Sequence, residues 1–195
     1  TCEDFVSAME TASGVDLEQF SRWYEQAGTP ILNVQKSYDK VKKTLTLNFK
    51  QSHQDNPAVD MRHDLVMPVR VGLVSASGDV FPVICDGESG GADDRVLTIA
   101  DKTSSITLHQ VPDGAVPSLL RGFSAPVQLQ TNFTEDDLLT LLAFDKDSFG
   151  RWDAGQQLMC QVIRIMLEQG SSSKLIEQKI QVLGDAFRQI IQDDT

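Results

Sequence analysis

Three histidines, His53, His63 and His109, are the first candidates for metal binding or proton transfer. Two imidazoles reach one zinc ion from a helix when they stand as H-E-x-x-H, which puts both rings on one face. None of the three stands in that spacing. His53 and His63 fall in a polar stretch read as a loop, and His109 ends a strand, so each is expected to be solvated or locally hydrogen-bonded. A G-x-S-x-G nucleophile elbow, a G-x-x-x-x-G-K-S/T phosphate loop and a G-x-G-x-x-G turn are all absent from the sequence. Residues 86–94 (DGESGGADD) are acidic and Gly-rich but are flanked by strand patterns and offer Leu97 at the twelfth position, which reads as a solvated turn. Residues 145–153 (DKDSFGRWD) place acids or Gly at positions 1, 3, 6 and 9 of a calcium loop, yet Phe149 at position 5 and Gln156 at position 12 cannot supply the needed oxygens. A helix end, a short link and a new helix near Arg151-Trp152-Asp153 suit that segment better. No catalytic and no metal-ligating residue is assigned.

The elements around these groups follow three periods. Residues 1–29 read as two short helices. Thr1 caps the first, with Asp4 in its first turn, Phe5, Val6 and Met9 at helical spacing and Ser13-Gly14 as its stop. Asp16 is expected to cap the second, which carries Leu17, Phe20 and Trp23-Tyr24 and ends at Gly28-Thr29-Pro30. Over residues 30–133 the period becomes two. Leu45, Leu47 and Phe49 alternate with polar residues; Leu32 with Val34, Val69 with Val71 and Leu73, Val80-Phe81, Leu97 with Ile99, Ile106 with Leu108 and Val127 with Leu129 supply further strands. About seven short strands predict an antiparallel β-sandwich, immunoglobulin-like or fibronectin-like. Residues 51–64 and 86–94 are expected to be exposed loops. From 134 the helical period returns: Thr134 caps a helix with Glu135, Asp136 and Asp137 in its first turn. Leu158, Val162, Ile165 and Met166 form one apolar face, and Ile176, Ile180, Leu183, Phe187, Ile190 and Ile191 another, with Gly170 to Ser173 between the two helices. The fold class is thus mainly β with flanking helices.

Composition narrows the function. Of 195 residues, 41% are hydrophobic, enough for a packed core, and Lys+Arg 17 against Asp+Glu 28 gives a net charge of −11. That field repels phosphate, so no nucleic acid and no anionic membrane partner is expected. The longest apolar run, residues 138–144 (LLTLLAF), is far short of a membrane span. Cys2, Cys85 and Cys160 are widely spaced, without a C-x-x-C pair, which fits a reducing cytoplasm. Asn132-Phe133-Thr134 is a glycosylation triplet with meaning only in a secreted protein. Helices on both sides of a sandwich cannot bury their apolar faces alone, so the chain reads as a cut from a longer polypeptide, with self-association through its open faces expected.

Residues 16–30 (DLEQFSRWYEQAGTP) resemble a segment of the bacterial aminopeptidase N family, where F-x-x-W-Y-x-Q-x-G-T-P closes the catalytic domain and leads into a β-sandwich. Thr1 to Val6 with Ala8-Met9-Glu10 looks like the helix before it, residues 117–127 (PSLLRGFSAPV) like the last sandwich strand and its approach, and residues 149–156 (FGRWDAGQ) like the start of the C-terminal helical domain. The four matches follow family order. The resemblance implies that residues 1–29 end the thermolysin-like catalytic domain, 30–133 form the sandwich and 134–195 begin the helical domain. It implies a zinc-dependent parent in which H-E-x-x-H, a further Glu, a G-A-M-E-N-type segment and a Tyr act on peptide N-termini. No position here matches those groups, so zinc is expected in the parent and none in this fragment, which is expected to be inactive alone.

What this piece is expected to contribute is geometry: a brace between the catalytic and helical domains. Trp23, Tyr24, Arg121, Phe123, Trp152 and Asp153 are the candidate interdomain contacts. Both tryptophans are expected to wedge against the sandwich, with ordinary packing inside each helical piece as the other reading. For Arg121 two readings stand, a domain contact through its guanidinium fork or a solvated residue in a strand leader. The partners implied are the remaining domains of the parent and its peptide substrates. The alternative function is a free-standing sandwich that binds a protein ligand, as adhesion and receptor modules do.

Overall fold

The computed structural model describes residues 1–53, 63–169 and 174–193. Helix α1 (Cys2–Ser13) opens on a capping box in which Thr1 and Asp4 satisfy each other's backbone, and it closes at Gly14 in the left-handed conformation (φ 68°). Of its apolar stripe only Val6 is buried; Phe5 and Met9 face outward. Helix α2 (Glu18–Glu25) starts one residue later than expected. The Leu17 N–H is taken by Glu10 from α1, so Leu17 occupies the cap position, and Asp16 instead accepts from Glu18 N at 2.9 Å.

Among the described residues eight strands, in line with the about seven expected, build two sheets. Strands β1 (Pro30–Asp39), β2 (Thr44–His53), β6 (Thr103–Leu108) and β8 (Gln128–Thr131) form one sheet in the order β6-β2-β1-β8. The other is centred on β3 (Met67–Val74), which pairs with β4 (Val80–Phe81), β5 (Asp94–Ile99) and β7 (Val116–Leu119). Every pair is antiparallel except β1 with β8, which is parallel. The unforeseen strand is β7. Pro117 inside it cannot donate to a ladder, so its alternation is weak, and it survives as an edge strand beside β3.

The period-two residues meet between the sheets. Leu32, Val34, Leu45, Leu47, Phe49, Val69, Val71, Leu73, Leu97, Ile99 and Leu108 form one buried core. Residues 51–53 continue β2 instead of opening a loop, which places His53 in a strand; residues 54–62 of that stretch lie outside the described residues. Asn132 is locked by its Oδ1 accepting from Lys36 N at 2.9 Å and its Nδ2 donating to Lys36 O at 3.0 Å.

Helix α3 (Glu135–Phe144) has the expected Thr134 cap, again as a capping box, with Asp137. It lays Leu138, Leu141 and Leu142 against Val116 of β7 and against α4 (Ser148–Gln169), whose Ala154 and Leu158 are buried there. Helix α4 begins at Ser148, a few residues ahead of the expected start, because Asp147 caps it by accepting from Gly150 N at 2.8 Å. Helix α5 (Lys174–Asp193) packs back through Ile176, Leu183, Ala186 and Ile190, while Ile180 and Ile191 stay exposed.

Candidate functional site

Two seams run between the sandwich and its helices, and the chemistry-bearing side chains of this chain concentrate there. At the first seam, α2 carries Gln19, Arg22, Trp23 and, just past its end, Gln26. The spacing i, i+3, i+4, i+7 puts all four on one face. Each finds backbone of the segment that feeds β3, Gln19 through Asp64 O at 3.3 Å as well as through Ala100 O just past β5. Gln19 Nε2 donates to Ala100 O at 2.6 Å, Arg22 Nη1 to Asp64 O at 2.9 Å, and Trp23 Nε1 to Val66 O at 2.8 Å. Gln26 and His63 exchange two bonds of 3.0 Å. The Trp23 ring also packs on the sandwich core. Tyr24, one residue round the helix, points the other way and stays 55% exposed, edge-on to Phe20.

Gln51 closes the same end from inside. It is 3% exposed, accepts from Leu65 N at 2.9 Å and donates to Leu65 O at 2.8 Å. Sequence reading missed it by starting a loop there. The signal was available: 45, 47, 49, 51 continues the inward alternation of β2, and a buried amide at its end needs backbone partners.

At the second seam the sheet itself makes the socket. Gly72 of β3 is paired to Asp94 on one side and to Ser118 on the other, so the three side chains share a face and the middle one is missing. Arg121, in a single 3-10 turn (Arg121–Phe123), lies over that gap; a Cβ on Gly72 would stand 2.9 Å from its guanidinium carbon. Leu120, Gly122 and Phe123 all have φ between 54° and 62°, the tight path that turns the side chain inward. Arg121 is 8% exposed and Asp145, at the end of α3, 1%. Arg121 Nη2 donates to Asp145 Oδ1 at 3.2 Å, and Ser118 Oγ donates to Asp145 Oδ2 at 2.5 Å. Asp94 stands 3.9 Å from Nη1. Asp147 ties the turn from outside, accepting from Gly122 N at 2.9 Å. The solvated reading of Arg121 is therefore corrected: the gap at Gly72 gives the guanidinium a buried bed and Asp145 gives it a counter-charge.

The other candidates lie around this seam but not inside it. Phe123 is 54% exposed and Trp152 58%, and Phe149 sits between them with centroid distances of 5.1 and 5.7 Å. Phe149, unsuspected from sequence, is the ring that packs on the sandwich core. Trp152 does not wedge against the sandwich; one helical turn places Phe149 there and leaves Trp152 outward. Asp153 lies half-buried beside Ser118 and Gly150, and burial pushes its carboxyl above the ordinary value, against a hydrogen bond from Gln157 that lowers it. On the opposite flank Lys36 of β1 reaches Asp137 of α3 at 2.6 Å. Burial pushes that carboxyl up, but the bonds from Lys36 and from Thr134, with the Lys36 charge, outweigh it and hold it below the usual range.

These polar groups are committed to one another. Asp145 and Asp147 face N–H and O–H donors, which is the wrong polarity for a cation socket. In the other acidic stretch Glu88 pairs with Arg95, and Asp86 Oδ1 lies 2.5 Å from His109 Nε2. Among the described residues no cluster of three His, Cys, Asp or Glu could hold a metal ion, so they do not fit zinc. No described helix is long and apolar enough to cross a membrane.

A family model described as DUF3458, a domain of unknown function with an Ig-like fold, matches residues 28–132. Its companion DUF3458_C, described as ARM repeats, matches residues 135–195. Aminopeptidase N of Haemophilus influenzae is 38% identical over 180 residues, 90% of this chain and 20% of that protein. Aminopeptidase N of Escherichia coli is 33% identical over 194 residues, 100% of this chain and 22% of that protein. The crystal structure of Legionella pneumophila aminopeptidase A in complex with aspartic acid superposes with a TM-score of 0.73 at 25% identity, over 92% of this chain and 19% of that one. The chain spans about a fifth of the length of the curated relatives it matches.

Proposed function

Since the chain belongs to the DUF3458 family of Ig-like domains and is homologous to aminopeptidase N over most of its length, we propose that it is a non-catalytic section of a zinc-dependent aminopeptidase. The parent removes N-terminal residues from peptides in the cytoplasm. Residues 1–29 complete its catalytic domain, 30–133 are the sandwich, and 134–195 open its helical domain. Zinc and the residues that activate water on it belong to the parent outside this chain, and no catalytic step runs through the residues described here.

The role of the piece is to brace. The observation that carries this is the Arg121–Asp145 pair: a charged residue of the sandwich and one at the end of α3, both buried and bound to each other. A wall held at a fixed angle encloses a site and admits peptide ends rather than folded proteins. The polar stripe of α2 does the same at the other seam, and an adhesion-type sandwich has no use for either.

Hydrolysis of an alanyl chromogenic substrate tests the reading. The parent is expected to cleave it and to lose activity with a zinc chelator, while these 195 residues with added zinc give no cleavage. Zinc-stimulated turnover by the chain alone, or a parent reading frame without H-E-x-x-H, overturns it. The exposed Ile163, Leu167, Ile180 and Ile191 of α4 and α5 support self-association of the isolated chain. A clean monomer by light scattering that fails to bind a hydrophobic dye counts against that part.

A further inference from the structure

Two turns of this chain are built alike. Cys85-Asp86-Gly87-Glu88 and Pro112-Asp113-Gly114-Ala115 each close by the fourth residue's N–H donating to the first residue's carbonyl at 3.2 Å. Each carries its Gly in the left-handed region, with φ 79° and 80°. A Cβ at either Gly would meet nothing within 4 Å, so both tips stand in open space. They are the two Asp-Gly pairs of the sequence. They differ in what holds the aspartate. Asp113 pairs with Lys40 Nζ, whereas Asp86 Oδ1 lies 2.5 Å from His109 Nε2.

The sheet sets that difference. Leu108, the last residue of β6, bridges antiparallel to Cys85, and His109 N donates to Ile84 O at 2.9 Å. Asp86 and His109 are thereby diagonal neighbours on one face, within side-chain reach. An ionised carboxylate only accepts, so His109 Nε2 carries the hydrogen. The Asp86 side chain is 78% exposed and that of His109 37%, so water reaches both. The next acid in the turn, Glu88, is engaged by Arg95 and by Cys85 N at 3.0 Å. An aspartate followed by glycine can close on itself, because the Gly N–H approaches the side-chain carbonyl carbon with no Cβ in the way. That closure is slow when the departing oxygen has no proton to take.

We propose that Asp86 is a self-modification site, at which charged His109 serves as the general acid for conversion of Asp86 to isoaspartate. Gly87 N forms a bond to Asp86 Cγ, and the Cγ–Oδ1 bond breaks. Oδ1 leaves as water, taking one proton from the Gly87 N–H and one from His109 Nε2. Water then opens the imide ring between the main-chain carbonyl carbon of Asp86 and Gly87 N, and the carboxylic acid so formed returns a proton to His109. Mass is unchanged and no other reactant is consumed. The backbone of the turn gains one methylene. Lys40 cannot do the same for Asp113. Its bond to Asp113 and that carboxylate's charge raise its ammonium above an already high ordinary value, so the proton stays on the lysine.

The test holds the 195-residue chain in warm neutral buffer and follows both turns by electron-transfer fragmentation, which tells the two backbones apart at equal mass. Asp86 is expected to convert roughly tenfold faster than Asp113. His109→Gln keeps a donor for Asp86 Oδ1 without a transferable proton, and His109→Lys keeps the charge but holds its proton. Each is expected to bring Asp86 down to the rate of Asp113 and to leave Asp113 unchanged. A merely structural role for His109 predicts the reverse, since a loosened turn closes the ring faster. The comparison of the two turns in the unaltered chain needs no variant. Equal rates at the two turns, a faster Asp113, or an Asp86 rate that either His109 variant leaves unchanged or raises overturns the proposal.

Discussion

Arg121 lies across Gly72, in the space left where one side chain of a three-strand row is missing, with Asp94 and Ser118 on either side. From there it reaches Asp145 at 3.2 Å. A sheet normally presents a continuous outer row of side chains. Here one absent Cβ turns the row into a slot that orients the guanidinium toward the helices. Its Nε is buried and lacks a hydrogen-bond partner among the described residues, so the bidentate potential of the fork is only partly used.

Removing one member of this pair is expected to cost far more than removing both. Arg121→Ala leaves Asp145 buried with Ser118 as its remaining side-chain donor, and loss of about 3–5 kcal/mol is expected, read from the urea midpoint. Arg121→Met with Asp145→Leu fills the volume without charge and is expected to recover most of that loss. If Arg121→Ala leaves both the melting temperature of the chain and the activity of the parent unchanged, the bracing role is lost with it.

Gly72→Ala is expected to destabilise by about 1–3 kcal/mol through overpacking, because the Arg121 head is enclosed and cannot swing aside. In an Arg121→Ala background the same substitution should cost little, and the double-mutant cycle measures the difference. Gly150→Ala tests the other wall: its Cβ would stand 3.1 Å from Ser118 Oγ and 3.4 Å from Asp145 Cγ.

Trp23→Phe keeps a ring on the sandwich core and removes the donor to Val66 O. A loss of about 1–2 kcal/mol is expected, since a partly buried carbonyl is left unpaired. Hydrogen exchange should show faster opening of the α2 seam and unchanged protection in β1 and β2.

Two carboxylates should bend the stability–pH curve in opposite directions. Asp137 is held below its ordinary value, so its contribution is present above the unfolded value near 3.9 and disappears as pH falls through the folded one. Lys36→Met should therefore destabilise at pH 7 and make little difference in strong acid. Asp153 is raised by burial, so its cost appears as pH rises through the folded value. Asp153→Asn keeps the polar partner for Gln157 and is expected to raise the melting temperature at pH 7 with no gain at pH 3.

Local pattern decided the elements. Alternation at 45, 47 and 49 and at 69, 71 and 73 needs only a two-residue period, and both Thr1 and Thr134 cap by bonds to residues three positions away. Such signals are complete within a few residues. The F-x-x-W-Y-x-Q-x-G-T-P segment carried the family, and its helical spacing also contained the face of Gln19, Arg22, Trp23 and Gln26. Where an element's stability comes from a distant partner, local reading fell short. Strand β7 has too weak a pattern to stand without β3, β8 runs parallel to a strand nearly a hundred residues earlier, and Leu17 takes the cap of α2 because Glu10 reaches across from α1.

The sequence by itself determined the sandwich core, the helices at both ends and the lack of the H-E-x-x-H zinc motif, because period, capping and motif spacing are properties of neighbouring residues. Only the tertiary structure decided which way the junction residues point. Trp23 and Phe149 turn in while Tyr24, Phe123 and Trp152 turn out, and Arg121 becomes a buried ion-pair partner rather than a solvated one. The burial of Arg121 depends on an empty position at Gly72 and a counter-charge at Asp145, both distant from it along the chain, and burial energies are set by what meets in space.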